Sequence, residues 1–190
     1  MSSNPKLYFT PQEYLELDRK SEFKSEYIDG QIVAMTGASR EHNLIVTNIV
    51  RELSLQLKGR PCELYPSDMR VRVPSTGDYA YPDAVVVCGE PQFEDSNVDI
   101  LVNPTLIIEV LSDSTESYDR GKKFRNYRSI KSLAEYVLIA QDDYRIEQFV
   151  RQPNGRWLLT EIRLADSVVE LETIECTLAL KEDYDKVSMS

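Results

Sequence analysis

Two acidic residues stand inside strands that are otherwise apolar. Glu109 lies in the middle of the run PTLIIEVLS, and Asp83 opens the run PDAVVV. Runs this short and this rich in β-branched residues predict strands that are covered on both faces of a sheet. An ionised carboxylate without a partner is costly to bury, so each acid needs a counter-charge, a proton or a metal ion.

Strand geometry predicts that the two carboxylates meet. Side chains alternate between the faces of a strand, so Asp83 shares a face with Val85, and Glu109 shares a face with Ile107. If the strands pair, the carboxylates converge at one end of the sheet, where their repulsion raises a pKa or recruits a cation. Hard ions such as Mg²⁺ take carboxylate oxygens and substrate phosphate as ligands. The two acids therefore predict a divalent-metal site.

Each acid also has an ordinary structural explanation. An aspartate after proline at the start of a strand often caps a turn, and a buried glutamate can pair with an arginine. Arg70, Arg72 and Arg125 are available to Glu109. These explanations stay open for either acid alone, whereas two acids in two buried strands, followed by a basic helix, favour a functional site.

The basic helix is predicted for the run DRGKKFRNYRSI. Asp119, Lys123 and Tyr127 are four residues apart in it and so form one stripe. The stripe predicts either a lysine directed at the carboxylates or a surface Asp–Lys pair that stabilises the helix by about 0.2–0.5 kcal/mol. The segment 119–131 carries six basic residues against one acid and is a candidate for one wall of a basic groove.

The chain has one histidine, His42. It falls in the first turn of the clearest predicted helix, which Ser39 can cap and Gly59 ends. Its place on the apolar stripe of Ile45 and Ile49 predicts a ring that points inward. A lone inward histidine is usually a packed core residue, and a role in the site is the alternative.

The remaining elements must hold these residues in position. Thr10 can cap a short helix, the dipeptide Asp-Gly at 29–30 favours a tight hairpin turn, and a second hairpin turns at 153–155. CELYPSDMRVRVP alternates like one strand with a wetter face, AEYVLIA is a buried strand, and the tail ECTLALKEDYDKV predicts a small strand and a closing turn or helix. This order predicts a mixed β-sheet flanked by helices, an α/β or α+β fold with hairpins added near both ends.

Composition narrows the class of protein. With 190 residues, 42% of them hydrophobic and 28% charged, the chain is expected to form one soluble domain over residues 1–190. Cys62, Cys88 and Cys176 are scattered and odd in number, so a disulfide framework or a structural zinc site is not expected, and a reducing, cytoplasmic compartment fits. No apolar run is long enough for a signal peptide or a membrane span. The net charge of −10 argues against a protein that coats nucleic acid, but not against a metal-dependent enzyme that acts on phosphates.

The sequence resembles bacterial proteins classed as restriction endonucleases of the Uma-two type, which belong to the PD-(D/E)XK nuclease superfamily. The resemblance covers nearly the whole chain and rests on YPDAVVV, LIIEVLSDST, DRGKK, Tyr127 and AEYVLI in this order, preceded by EYIDGQIVAMTGASREHNLIV. It implies a restriction-endonuclease-like core. It also implies hydrolysis of DNA phosphodiester bonds by metal-activated water, with Mg²⁺ or Mn²⁺ neutralising charge on the phosphate.

The resemblance also implies residue roles. Asp83 and Glu109 match the two catalytic acids that bind metal, and Glu26 matches an N-terminal acid that would complete the ligand set. The superfamily places its lysine two residues after the second acid, where this chain has Leu111. Lys123 matches the family's helical lysine and is the expected catalytic substitute.

Further matches are expected to support the site. The resemblance gives His42 a role in orienting Glu26 or in binding substrate, and it includes Asp68, which an Asx turn explains as well. Asp119 and Tyr127 complete the supporting set. The implied partner is nucleic acid, with DNA favoured over RNA, and a homodimer fits because many nucleases of this superfamily cut both strands as dimers.

Two alternatives to a DNA endonuclease stay open. One is a catalytically inactive protein of the same fold that binds or regulates, which Leu111 and the acidic composition favour. The other is a nuclease that acts on a small or structured nucleic acid and needs little basic surface. The presence or absence of a basic groove beside Asp83 and Glu109 would distinguish between these possibilities.

Overall fold

The structure is a computed structural model that describes residues 8–112 and 114–189. Residues 1–7, 113 and 190 belong to the predicted domain of 1–190 but lie outside the described residues. Side-chain oxygens of Thr10 and Ser39 accept backbone N–H groups and cap the first two helices, as the sequence predicts. The helices are α1 (Pro11–Asp18), α2 (Arg40–Leu57), α3 (Glu116–Tyr118), α4 (Phe124–Tyr127) and α5 (Leu180–Asp183), and a π-helical turn at Asp119–Lys123 joins α3 to α4.

Strands account for most of the remaining regular structure. The hairpin predicted at 29–30 is present, and both turn residues have positive φ, 50° for Asp29 and 79° for Gly30, as this kind of turn requires. Along the described chain the strands are β1 (Ser25–Ile28), β2 (Gln31–Ala34), β3 (Cys62–Pro66), β4 (Arg70–Val73), β5 (Asp78–Ala80), β6 (Ala84–Cys88), β7 (Ile100–Leu101), β8 (Leu106–Leu111), β9 (Glu135–Ala140), β10 (Ile146–Arg151), β11 (Trp157–Ile162), β12 (Val168–Leu171) and β13 (Cys176–Ala179).

The strands form two larger sheets and a separate hairpin. The first sheet has the order β2-β1-β5-β4-β7, the second has the order β11-β10-β9-β8-β6-β3, and β12 pairs with β13. Both larger sheets are mixed, because β4 runs parallel to β7 and β8 runs parallel to β9 while the other pairs are antiparallel. Mixed sheets flanked by helices, with hairpins near both ends, agree with the predicted fold class.

The core lies on both faces of the second sheet. β8 is buried along its whole length, as predicted. Its residues Ile108 and Val110 pack in the hydrophobic cluster under α2, whereas Ile107 and Leu111 pack in a second cluster with residues of α4. Alternation along the strand therefore directs Glu109 toward the face that α4 and the π-helical turn cover.

Two expectations, one for the segment 62–74 and one for the cysteines, are wrong. The run CELYPSDMRVRVP forms two strands, β3 and β4, which belong to different sheets. The cysteines are not all unpaired, because Cys62 and Cys88 form a disulfide across β3 and β6. The two residues lie 26 positions apart, but the antiparallel register sets them directly opposite each other. Cys176 is free and buried.

The length and the hydrophobicity of the described helices decide whether any of them could span a membrane. Within residues 8–112 and 114–189, no helix combines the length and the apolar character that crossing a membrane requires.

Candidate active site

Glu109 has a lysine as its counter-charge. The Glu109 side chain is 4% exposed, and the Lys123 ammonium nitrogen lies 2.8 Å from its Oε1 atom. The Tyr127 hydroxyl donates to the same oxygen at 3.3 Å. The alternative of an arginine partner is not what the structure shows, since Arg70 pairs with Asp18 on another part of the molecule.

Lys123 is surrounded by carboxylates. Besides its contact with Glu109, its Nζ atom lies 3.5 Å from Glu26 Oε1 and 3.5 Å from Asp119 Oδ1. The whole residue is only 7% exposed, so the alternative of a surface Asp–Lys pair is wrong. The π-helical turn at Asp119–Lys123 delivers both residues to this point, and such turns are frequent at functional sites.

Glu26 reaches the cluster from the other sheet. It lies in β1, is 8% exposed, and its Oε1 atom accepts the backbone N–H of Tyr81 at 3.1 Å. This bond fixes the oxygen that faces Lys123. The cluster therefore draws Glu26 from the first sheet, Glu109 from the second, and Lys123 from the helical segment that follows β8.

Asp83 and His42 form a second group beside the cluster. The strand β6, which begins directly after Asp83, pairs as predicted with β8, which contains Glu109, and Ala84 lies opposite Ile108. The Asp83 Oδ2 atom accepts the backbone N–H of Val110 at 2.8 Å and lies 3.1 Å from His42 Nε2. The second acid is thus held next to the residue that follows Glu109 in β8.

His42 is oriented toward Asp83, and the predicted contact with Glu26 is not present. The His42 side chain is 14% exposed, so its ring does point inward. Its Nδ1 atom is buried and has no hydrogen-bond partner among the described residues. The first turn of α2 positions the ring, because Ser39 accepts the His42 N–H at 3.0 Å.

The electrostatics of the cluster are dominated by burial. Burial raises the pKa of the Glu109 carboxyl well above its usual range, and the charges of Asp119 and Asp83 act in the same direction. Burial likewise raises the pKa of Asp119. Burial alone would lower the pKa of Lys123, but the charges of Glu109 and its neighbours outweigh it and raise that pKa well above its ordinary value. The positive charge of Lys123 offsets part of the effect of burial on Glu109 and Asp119, whose pKa values nevertheless stay raised.

Asp68 lies apart from these groups. Its side chain is 87% exposed and pairs with Lys24 at 2.5 Å. No contact joins it to the carboxylate cluster within the described residues. The prediction that Asp68 supports the site therefore receives no support from the geometry.

The basic segment 119–131 is only partly available as a groove wall. Arg120 pairs with Glu147, and Lys122 pairs with Asp29 at 2.5 Å. Its exposed residues Arg125, Arg128 and Lys131 make no ion pair among the described residues. Arg128 lies over the ring of Phe124 at 5.1 Å.

Sequence reasoning missed two tyrosines that border the site. Burial raises the pKa of the Tyr118 hydroxyl, and the charge of Glu26 acts in the same direction. The Tyr136 hydroxyl donates to the backbone carbonyl of Asp119 at 3.2 Å. Tyr118 directly precedes Asp119, which was the available signal, whereas Tyr136 lies on β9 and becomes a neighbour only through the parallel pairing of β8 and β9.

The donor set fits a divalent metal in its chemistry but not in its present spacing. Carboxylate oxygens are the ligands that Mg²⁺ and Mn²⁺ prefer, and three of them face one point. They face the Lys123 ammonium at 2.8–3.5 Å, whereas Mg²⁺ requires oxygens at about 2.0–2.1 Å. Among residues 8–112 and 114–189, no three His, Cys, Asp or Glu side chains are arranged to hold a metal ion as they stand.

Comparison with known proteins agrees with this architecture. The family model Uma2, described as "Putative restriction endonuclease", matches residues 11–181. Two proteins of Synechocystis sp. are similar, both described as uncharacterized. Protein sll1609 is 40% identical over 85% of this chain and 91% of its own length, and protein slr1290 is 35% identical over 95% and 92%.

A solved structure shares the fold. It is described as a "putative nuclease belonging to DUF820" from Anabaena variabilis, and it matches with a TM-score of 0.78 at 20% identity, over 95% of this chain and 99% of its own. The match supports the predicted restriction-endonuclease-like fold. With a family model that covers most of the sequence and relatives at 35–40% identity, this chain belongs to the Uma2 family.

Proposed function

We propose that this protein is an endonuclease that hydrolyses DNA phosphodiester bonds with the help of Mg²⁺ or Mn²⁺. The observation that carries the proposal is the convergence of Glu26, Glu109 and Asp119 on the buried ammonium of Lys123. Membership of a family described as restriction endonucleases gives this cluster its most direct interpretation. A buried polar cluster of this cost needs a role beyond stability, because burying charges seldom stabilises a fold.

Each residue of the site has a task in this proposal. Asp83, Glu109 and Glu26 would hold the divalent ion, with Asp119 as a further oxygen ligand from the π-helical turn, and the ion would supply Lewis-acid stabilisation of the phosphate and activation of water. Lys123 would place a positive charge on the phosphate as negative charge develops there. Tyr127 fixes the Glu109 carboxylate through its hydroxyl.

Two further groups prepare the site. His42 and the Val110 N–H both contact the Oδ2 atom of Asp83 and so hold its carboxylate in place. Such partners keep a ligand in one orientation, and their loss typically costs metal affinity or activity.

The position of Lys123 weakens the argument from Leu111 for an inactive protein. Leu111 is 3% exposed and packs in the second hydrophobic cluster, so β8 supplies no positive charge to the site at this position. Lys123 brings its ammonium to Glu109 from the neighbouring helical segment instead. This contact supports the proposal that Lys123 takes the role of the lysine in the superfamily pattern.

DNA would be attracted mainly by the exposed end of the basic segment. Arg125, Arg128 and Lys131 are exposed and lie in the same segment as the catalytic candidate Lys123. Cations of this kind bind phosphates without reading sequence. Because the chain as a whole carries a net charge of −10, binding should be weak and should weaken further as salt is raised.

A cleavage assay with matched variants tests the proposal. Supercoiled and linear DNA are incubated with Mg²⁺, Mn²⁺ or EDTA, and Glu109→Gln is compared with Glu16→Gln, which removes the same charge from an exposed position. Metal-dependent cleavage should be lost in Glu109→Gln and kept in Glu16→Gln. Cleavage that persists in Glu109→Gln, or that proceeds in EDTA, would show that this cluster does not catalyse the reaction.

The binding-module alternative gives a different result in the same assay. DNA would be retained in a mobility-shift gel by both variants, with no cleavage by the wild type under any metal. RNA substrates, run in parallel, decide between DNA and RNA. We also propose a homodimer and a cytoplasmic location, which sedimentation of the purified chain and fractionation of cells would test.

A further inference from the structure

The Lys123 ammonium occupies the point on which oxygens of three carboxylates converge. Its Nζ atom lies within 2.8–3.5 Å of oxygens from Glu26, Glu109 and Asp119. The side chain is 8% exposed, so these oxygens take the place of water around the ammonium. The lysine thus stands in a carboxylate cage of the kind that a hard cation occupies.

Charge in the cage is unbalanced. One positive ammonium faces three carboxylates, and Asp83 adds a fourth acid beside them at Val110. A divalent ion would match this excess of negative charge better than a single ammonium does. When its acids are ionised, the cage is therefore only partly neutralised by the chain itself.

Ammonium and metal cannot share this space. The three oxygens must draw in to about 2.0–2.1 Å around Mg²⁺, which is shorter than any of their present distances to Nζ. Two like charges this close in a buried site repel each other strongly. For an ion to be bound here, the ammonium must leave the centre of the cage.

Lys123 has the means to move. Its charge sits at the end of a flexible four-carbon stem, which can redirect the ammonium while the backbone stays in place. Its backbone belongs to the π-helical turn, and the buried residues Phe124 and Tyr127 that follow this turn in α4 help to hold that backbone in place.

We propose that Lys123 is the resident counter-ion of the metal-free site, and that a divalent cation binds only by displacing its ammonium from the carboxylates. The inference rests on the proposed function and deepens it, because displacement frees the lysine for substrate phosphate only when the ion is in place. Binding of the metal and release of the Lys123 ammonium toward the substrate then occur together. A site without metal keeps its catalytic cation sequestered.

Metal affinity tests the displacement directly. Mn²⁺ binding is measured by calorimetry or by the paramagnetic signal of free Mn²⁺ for the wild type, Lys123→Met and the control Lys122→Met. Lys123→Met should bind Mn²⁺ at least about tenfold more tightly than the wild type, because a competing positive charge is gone. Lys122→Met loses the same charge from a pair that lies outside the cage, so its affinity should change about twofold or less.

A second measurement uses the wild type alone, in case Lys123→Met folds poorly. Reductive methylation, followed by mass spectrometry of the peptides, is compared with and without Ca²⁺, an ion that takes oxygen ligands and seldom supports phosphodiester cleavage. Lys123 should be protected without metal and should react at least about fivefold faster with Ca²⁺, since the ammonium then leaves the cage. Lys122, whose side chain is 32% exposed, should react at the same rate in both conditions.

The outcomes separate this inference from the proposed function. Equal Mn²⁺ affinity of Lys123→Met and Lys122→Met, or protection of Lys123 that Ca²⁺ does not change, overturns the displacement even if the wild type cleaves DNA. Tighter Mn²⁺ binding by Lys123→Met in a protein that never cleaves DNA upholds the displacement and refutes the nuclease.

Discussion

Removing the Lys123 charge should destabilise the metal-free protein far more than removing the charge next to it. We expect Lys123→Met to lower the free energy of unfolding by about 3–5 kcal/mol, the usual cost of breaking a buried ion pair by removing one partner. Lys122→Met should cost about 1 kcal/mol or less, because Lys122 and its partner Asp29 are 32% and 65% exposed.

The magnitude follows from the distances. At 2.8 Å and an effective dielectric constant of about 20, the attraction between Lys123 and Glu109 is about 6 kcal/mol. Desolvation of the two ions offsets several kcal/mol of this, so the pair as a whole contributes little net stability. A variant that removes only the lysine loses the attraction and still carries the cost of burying the carboxylates.

Urea unfolding in EDTA measures the difference, and its pH dependence identifies the cause. Burial already raises the pKa of Glu109 and Asp119, and loss of the lysine charge should raise both further. An acid whose folded pKa is raised contributes stability at low pH that is lost as the pH rises through the folded pKa. The deficit of Lys123→Met should therefore be smaller at pH 5 than at pH 8.

A double variant completes the test. Adding Glu109→Gln to Lys123→Met should recover part of the lost stability, because one unpaired carboxylate is removed. Equal losses for Lys123→Met and Lys122→Met would refute the reasoning, and so would a deficit that does not change with pH. Equal losses would mean that the lysine is solvated in solution, and a deficit independent of pH would mean that the loss does not come from the unpaired carboxylates.

Three further outcomes are expected. Burial raises the pKa of Asp183 from 3.8 to about 7, and neither of its carboxylate oxygens has a hydrogen-bond partner among the described residues. In urea unfolding, the Asp183→Asn variant should therefore be as stable as the wild type near pH 4 and more stable by up to about 4 kcal/mol at pH 8. Reduction of the Cys62–Cys88 disulfide, which links residues 26 positions apart, should lower stability by about 3.5 kcal/mol, and an unchanged melting temperature in reductant would contradict the pairing. His42→Gln should keep the fold and lower metal affinity or cleavage about 10–100-fold, because Asp83 loses its orienting partner; full activity would leave the histidine a packing role.

Much of the fold and part of the site were predictable because their signals are local. The Asp-Gly pair at 29–30, the helix cap at Ser39 and the apolar run of β8 each follow from a few neighbouring residues. Glu109 was conspicuous for the same reason, as a charge inside an apolar strand. Four-residue spacing then put Asp119 and Lys123 on one side of their helical segment.

The parts that were missed depend on contacts between distant segments. Cys62 and Cys88 face each other only through the register of β3 and β6, which no short window of sequence reveals. His42 was expected near Glu26 and instead contacts Asp83, because α2 covers the opposite face of the sheet from the helical segment. In both cases tertiary structure set the partner, and for the cysteines it produced a disulfide that was not expected from the sequence.

Lys123 lies on a different segment from Glu109, and this has a physical consequence for the site. A lysine at position 111 would share the strand with Glu109 and would point to the same face at a fixed spacing. Leu111 instead fills the hydrophobic cluster with residues of α4, and this packing helps to hold the helical segment that supplies Lys123. The strand thus provides the acid and the platform, while the helical segment provides the cation. A cation on a separate segment can be held by the acids in one state and turned toward a substrate in another, which a lysine fixed beside Glu109 on the same strand could do less readily.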